Sequence, residues 1–430
     1  MKEKYPNIFV NSLSMLVSAL LMCLPHAAFA QENQDTVLTV KDTIITINDT
    51  IIRISEDSIS TQGRGDSAAV ITTENGADKE KWKKLTHVFK KDSTINFNVI
   101  GFPIVAYLPE TNLSFGGTLQ LYFRQRKTPD NHQSVFRFKG QYTLNKQYEA
   151  FMEYELFLGK NNRIWMDGIV QYQNWLQDFY GIGNNTEYES REITEFQHWY
   201  SDLRLLYKIK KLYIGPQVRF SKIFDMQYAA DSTFARADVS GKNGYQTVGI
   251  GAALVLDTRD NNIFPYKGYY ISLSNYNHPK WSSEEQFSFY NLEFDYRHFF
   301  NPKKGKHVLA VRAYMSANFG EPPFRLMALH GGQYLGRGYY EGRYRDMEMW
   351  LAQVEWRFPL VWRFRGTLFT SAGDVARVPS DFSFQTINWA VGVGLRFVVN
   401  PKERNMIRMD YAHGKTKEDK GFYFGVNEVY

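Results

Sequence analysis

The stretch 387–397, INWAVGVGLRF, decides the fold class. Apolar residues occupy every second position: Ile387, Trp389, Val391, Val393, Leu395 and Phe397. This alternation is typical of a β-strand with one apolar and one polar face. A soluble sandwich also alternates, so the second face has to discriminate between the two. Here that face carries Arg, Asp, Ser, Gln and Gly in strand after strand, which suits a polar lumen, while the apolar face would contact lipid.

The same pattern recurs in segments of about ten residues over the whole of 96–430, and transmembrane strands need only about 9–11 residues each. We count about sixteen strands. The sequence therefore predicts an all-β fold, a closed antiparallel transmembrane β-barrel. Charged residues expected to face the lumen are Arg137, Lys139, Arg204, Arg396, Arg408 and Asp410. Connections after even-numbered strands are predicted to be short turns, and the longest connection, about 320–346, follows an odd-numbered strand.

Residues 1–30 read as a secretory signal peptide, with Lys2 and Lys4, an apolar stretch over 13–24 and a small-x-small cleavage site. The only cysteine, Cys23, lies within it, so we expect neither a disulfide nor a thiolate metal site in the mature chain. Lipidation of Cys23 is the alternative, which the large residue preceding it disfavours.

Residues 31–95 are predicted to be a linker, mostly disordered. A repeat of the type Asp-Thr-Ile runs through 35–59, and a single ribbon of this kind has no core to pack against. Its alternative reading is a docking strand for a partner. Residues 79–91 are predicted to form a short basic amphipathic helix, either at the membrane interface or solvated.

Three segments resemble one known family, the BamA/TamA outer-membrane assembly factors, or bacterial surface antigen superfamily. Gly336-Arg337-Gly338-Tyr339, within the longest connection, resembles the signature of that family's loop six. The strand 353–360, which contains Glu355, is similar to the strand after that loop. Asp257-Thr258-Arg259-Asp260, leading into a Pro and a Gly, resembles the family's periplasmic turn.

The resemblance implies that loop six folds back into the lumen and that Arg337 pairs there with Glu355. The family's second acid lies in an F-x-D-x-G strand, which here reads 369–373 and has Ser371 in place of the aspartate, followed by Gly373. Ser371 is therefore expected to be a neutral hydrogen-bond partner. A buried guanidinium favours charge-assisted, bidentate partners. Anchoring the loop as a plug, with no role in transport, is the alternative role for Arg337.

The first and last strands of the barrel meet at a seam, which we expect to be its weakest pairing. Pro103 has no N–H to donate to a ladder, while Gly421 and Gly425 lack packing side chains. Glu428 is expected on the outward face with the terminal aromatic residue, Tyr430. In the family such a seam is where substrate strands enter or lipid is perturbed.

The chain departs from the family before the barrel, because 31–95 is too short and of the wrong pattern for a POTRA domain. The resemblance thus implies a barrel-only member of the bacterial outer membrane that takes part in the assembly or insertion of outer-membrane components. A passive pore or transporter, or a structural partner-docking barrel, are the alternatives. The expected partners are outer-membrane lipid, client proteins and other assembly-complex subunits.

Other classes of function find little support in the sequence. The net charge of +6 is diffuse, and an exported chain meets no nucleic acid. The histidines are scattered, and neither G-x-S-x-G nor H-E-x-x-H occurs. We therefore expect no enzymatic activity, no cofactor and no metal site.

Overall fold

The computed structural model describes residues 43–47, 50–54, 95–108, 112–125, 132–236, 239–283, 287–302, 307–401 and 403–429. The predicted signal peptide and amphipathic helix lie outside these residues, as does Tyr430. The chain divides into two compact units, 1–91 and 92–430. In the first unit, β1 (Thr43–Ile47) and β2 (Thr50–Ile54), which each begin with the Thr-Ile pair of one repeat, pair as an antiparallel hairpin.

The second unit is built on one antiparallel sheet in which sixteen strands follow one another in chain order. They are β3 (Ile95–Leu108), β4 (Asn112–Gln125), β5 (Ser134–Thr143), β6 (Tyr148–Leu158), β7 (Ile164–Phe179), β8 (Glu192–Ile209), β9 (Leu212–Gln227), β10 (Tyr245–Asp257), β11 (Gly268–His278), β12 (Phe289–Phe300), β13 (Val308–Gly320), β16 (Glu348–Pro359), β17 (Phe364–Ala376), β18 (Asn388–Asn400), β19 (Asn405–His413) and β20 (Lys420–Val426). The number of strands agrees with the prediction.

Shorter elements lie in the connections. A small hairpin, β14 (Ala328–His330) and β15 (Tyr344–Asp346), lies between β13 and β16. The helices are α1 (Thr233–Arg236), α2 (Gly332–Leu335) and two 3₁₀ turns, Lys280–Ser282 and Pro379–Asp381. Among the described residues, no helix is long and apolar enough to cross a membrane.

The two faces of the sheet are inverted relative to a soluble protein. In β18, Trp389 and Val393 are 45% and 54% exposed, whereas Arg396 on the opposite face is 0% exposed. The apolar face is thus the outer one and the polar face the inner one, as a lipid-facing strand requires. The predicted lumenal charges are all in ion pairs with other inward side chains: Arg137–Glu153, Lys139–Glu149, Arg204–Asp167, Arg396–Asp410 and Arg408–Asp410.

The connections follow the predicted alternation only in part, because those after the even-numbered strands β4 and β10 span eight and ten residues. Short turns follow β6, β8, β16 and β18, and the longest connection, 321–347, follows β13, the eleventh strand of the sheet. The connections from β3 to β4 and from β5 to β6 are also short, although they follow odd-numbered strands. At the end of the sheet that carries the connection 321–347, long connections therefore occur only from β7 onward.

The two ends of the sheet face each other through side chains. The Asn427 amide donates to the Tyr122 hydroxyl at 2.6 Å, and the rings of Phe102 and Phe424 meet edge to face with centroids 6.2 Å apart. In the described part of the chain, the hydrogen-bonded strand order ends at β3 and β20 without joining them. Closure by a regular ladder therefore stays a prediction, and we call this β3–β20 boundary the seam.

Candidate functional site

The connection 321–347, loop six, turns back against the inner face of the sheet. The hairpin β14–β15 contacts β16 and β17, and the one-turn helix α2 follows β14. Gly336 and Gly338 have φ values of +141° and +108°, which side chains rarely adopt, so they let the chain bend sharply on both sides of Arg337. The signature glycines thus aim Arg337 into the interior.

Arg337 is 1% exposed and contacts two carboxylates. Its Nη2 lies 2.6 Å from Glu355 Oε2, and its Nη1 lies 2.8 Å from Asp410 Oδ2. The guanidinium also stacks over the Phe369 ring at 3.5 Å. The predicted contact with Glu355 is present. The second acid is Asp410 of β19, which the sequence analysis placed in the lumen without connecting it to Arg337.

Ser371 does not take the place of the missing aspartate. It is buried in β17, opposite Gln353 of β16 and Ala390 of β18. Gly373 has a clearer role, because a Cβ there would lie 2.8 Å from the Trp350 carbonyl of β16 and 3.1 Å from Cδ2 of His330 in loop six. Gly373 therefore leaves room for the hairpin to pack against the wall.

Arg337 belongs to a larger network that we call the lumenal cluster. Its members are Arg337, Arg357, Arg396, Arg408, Glu355, Asp410 and Glu428, all of them buried or nearly so. Arg357 Nε lies 2.6 Å from Glu355 Oε1, and Arg408 Nη1 lies 2.7 Å from Asp410 Oδ2. Buried charges are tolerated only when paired, and each acid here contacts at least two arginines. The cluster thereby crosslinks loop six, β16, β18, β19 and the segment after β20.

Backbone and tyrosine contacts tie loop six to the last strands as well. The Gly338 amide donates to the Tyr423 hydroxyl of β20 at 2.9 Å. The Tyr339 hydroxyl donates to the Trp389 carbonyl of β18 at 2.7 Å and accepts from the Lys415 amide at 2.9 Å. Loop six is therefore attached directly to the strand that forms one side of the seam.

The expected outward position of Glu428 is wrong. Its carboxylate is 1% exposed at the side chain and accepts hydrogen bonds from Arg396 Nε and Nη2, each at 2.9 Å. The reason is Asn427, whose φ of +64° reverses the chain after β20, so the alternation of that strand does not continue. Val429 is buried as well, against Phe299 and Val308.

The seam glycines leave space for side chains that point into the lumen. A Cβ on Gly425 would lie 2.9 Å from Arg408 Nη2, and one on Gly421 would overlap the Tyr423 hydroxyl. Pro103 is exposed in β3, where it lies opposite Gly117 of β4. Both seam strands thus carry residues that weaken a ladder.

Two aspartates, Asp257 and Asp260, stabilise the turn that resembles the family's periplasmic turn. Arg259 Nη2 and Nε bind Asp257 at 2.7 and 3.0 Å. The Asp260 carboxylate accepts from the backbone amides of Tyr266 and Lys267 and pairs with Arg404 at 2.8 Å. Asp257, Arg259 and Asp260 therefore shape the turn and tie it to the turn between β18 and β19.

Comparison with known proteins identifies the family. The Omp85 superfamily domain matches residues 117–429, most of the chain. The chain belongs to the Omp85 superfamily. It is an all-β, BamA/TamA-like protein of the bacterial outer membrane. None of the curated proteins searched matches this chain significantly.

Solved structures similar to this Omp85 chain include BamA from Haemophilus ducreyi lacking POTRA domains 1–3, with a TM-score of 0.47 at 13% identity, covering 91% of this chain and 74% of that one. CdiB from Acinetobacter baumannii has a TM-score of 0.48 at 12% sequence identity, and the match covers 78% of this chain and 60% of that one. A bacterial polysaccharide outer membrane secretin has a TM-score of 0.35 at 11% sequence identity, and the match covers 77% of this chain and 96% of that one.

In this Omp85 protein, His330 forms the packed centre of loop six. It is fully buried, its ring meets those of Tyr339 and Tyr344, and neither ring nitrogen has a hydrogen-bond partner among the described residues. Burial lowers the pKa of His330 to about 4. Sequence reasoning did not select this residue, because a lone histidine in a loop gives no signal of burial.

We expect loop six to loosen in acid. Because the pKa of His330 is lower in the folded loop than in a released one, its effect on stability is absent above about pH 6.5 and grows as the pH falls towards 4. The loss should approach about 3 kcal/mol, at about 1.4 kcal/mol per pH unit. The mobility of a spin label on Glu341→Cys should rise over this range. His330→Phe is the control and should remove the pH dependence. An unchanged dependence in that variant would assign the effect to other groups.

Proposed function

We propose that this Omp85 barrel takes part in the assembly or insertion of outer-membrane components, and that the seam between β3 and β20 is where it acts. The observation that supports this most is that β20 is paired along one edge with β19 but meets β3 through side chains. An edge without a regular partner is a template for pairing with another strand. Among the described strands, β20 offers such an edge to an incoming strand.

The side chains at the seam also support an opening boundary. Phe102 lies on the face of β3 that packs inward, against Ile100 and Tyr122, whereas Phe424 is exposed on the outer face of β20. Neighbours in a regular ladder share a face. Their contact across the seam therefore indicates an irregular junction, which costs less to separate than a full ladder of backbone hydrogen bonds.

Loop six would then act as the fixed support of β20. Gly338 binds Tyr423, and Asp410 links Arg337 to the strand beside β20. These contacts hold the inner face of β19 and β20. In the described part of the chain, none of these contacts involves β3. The support favours a seam that opens on the β3 side.

The test is depletion of the protein followed by quantitative proteomics of the outer membrane. We expect a subset of outer-membrane proteins or lipid-linked components to fall, and re-expression of the wild-type chain to restore them. A passive pore would instead leave this composition unchanged and slow the uptake of a solute. If the protein is a docking barrel, its depletion would remove only its partner protein from the outer membrane. Either result would overturn the assembly proposal.

A further inference from the structure

The turn between β10 and β11, residues 258–267, crosses the interior instead of lying outside the barrel. Connecting turns usually run over the surface and are polar. In this turn, however, Ile263 is 3% exposed and Phe264 is 1% exposed. The Asn261 side chain accepts from the amides of both residues, which fixes them in a compact bend.

One side of the turn is bound to the first strands of the sheet. Asn262 and Gln133 exchange two hydrogen bonds of 2.9 Å, in which each donates to the other. Ile263 packs in a cluster with Ile100 of β3 and Tyr122 of β4. These strands are the first and second of the sheet, whereas the turn leaves from the eighth.

The other side is bound to late strands. Phe264 lies under the guanidinium groups of Arg357 of β16 and Arg365 of β17, at 5.1 and 5.4 Å. Arg365 donates to the Tyr266 hydroxyl at 2.9 Å, and Arg404 donates to the Phe264 carbonyl at 3.1 Å. One turn of ten residues thus contacts strands from both ends of the sheet, which is possible only if it spans the lumen.

We infer that turn 258–267 is a second plug, which closes the lumen at the end opposite loop six. It leaves the sheet after an even-numbered strand, whereas loop six follows an odd-numbered strand and leaves from the other end. The two plugs lie in series along one lumen. Either alone stops the passage of solutes, so opening one leaves the barrel closed. This inference does not depend on the proposed assembly function.

The first test is ion conductance of the full chain in planar bilayers. Arg337→Ala releases the loop-six anchor, and the pair Ile263→Ser with Phe264→Ser removes the buried contacts of the second plug. We expect each change alone to leave the conductance within about two-fold of wild type. The combination should raise it by an order of magnitude or more. A large current from Arg337→Ala alone, or no gain in the combined variant, would contradict two plugs in series. Retained heat-modifiable migration on gels confirms that a variant is folded.

A second measurement does not require current. Ser316 lines a cavity of about 310 Å3 between the barrel wall and loop six. A membrane-impermeant thiol reagent should not label Ser316→Cys in the otherwise wild-type chain. It should label this cysteine when the second plug is loosened, and only from the side of that plug. Ser383→Cys, in an exposed connection at the loop-six end, and Lys211→Cys, in an exposed turn at the end of the second plug, are the positive controls for the two sides. Rapid labelling of Ser316→Cys without any loosening would overturn the inference.

Discussion

Glu355→Gln is expected to release loop six more strongly than Arg337→Ala. The lumenal cluster holds four arginines and three carboxylates. Removing Arg337 leaves Glu355 paired with Arg357, and Asp410 paired with two other arginines. Neutralising Glu355 instead leaves four arginines with two carboxylates, and Arg357 keeps within the cluster only the 3.8 Å contact with Glu428. A buried ion that loses its partner costs about 3–5 kcal/mol, whereas losing hydrogen bonds to charged groups costs about 1.5–3 kcal/mol.

Hydrogen exchange of the amides of β14 and β15 measures this release. Each 1.4 kcal/mol corresponds to a tenfold faster exchange, so Arg337→Ala should accelerate it about tenfold to a hundredfold and Glu355→Gln by more than that. Arg337→Lys should be intermediate, because an ammonium cannot bridge both carboxylates as the planar guanidinium does.

The same loop supplies a matched control. Arg325 pairs with Glu341, whose side chain is 60% exposed, and exposed pairs contribute less than about 1 kcal/mol. Arg325→Ala should therefore leave exchange in the hairpin nearly unchanged. Faster exchange in Arg337→Ala than in Glu355→Gln would show that charge balance in the cluster is not what holds the loop. An acceleration in Arg325→Ala equal to that in either variant would show the same.

The alternating pattern predicts the antiparallel sheet of sixteen strands well because the two faces of each strand meet opposite environments. Lipid outside and charges inside leave little freedom to the register of a strand such as β18. The contact between Arg337 and Glu355 could likewise be expected from the family resemblance. Both predictions depend on local spacing or on a short motif, which the sequence displays directly.

What the sequence did not predict depends on long-range geometry. Asp410 follows Arg337 by 73 positions, and the expected acid at Ser371 drew attention to another strand. The inward turn at Asn427 reflects a single left-handed residue, which a period-two pattern cannot show. The apolar pair Ile263 and Phe264, in the middle of a turn, was a usable signal for burial, but only the fold shows that the turn crosses the lumen.

Covalent locking of the seam is expected to abolish the activity of the protein. The only native cysteine, Cys23, lies in the predicted signal peptide, so new cysteines should react alone. Phe102→Cys and Phe424→Cys lie on opposite sides of the seam at a ring contact of 6.2 Å and can be joined by a short, thiol-cleavable bismaleimide. If β20 must separate from β3 during assembly, the locked protein should reproduce the outer-membrane composition of depleted cells. Cleaving the linker should restore it.

The control uses the same chemistry where no opening is expected. Phe364 of β17 and Phe397 of β18 are direct partners in a regular ladder, with ring centroids 5.2 Å apart. Crosslinking cysteines at these two positions adds the same linker to the outer face but leaves the seam free, so this protein should stay active. Full activity of the seam-locked protein would contradict opening at β3–β20. Loss of activity in both locked proteins would show that the linker itself disturbs the barrel. Only loss at the seam with retention at β17–β18 supports an edge that opens, because the two proteins carry the same linker and differ in the boundary that it closes.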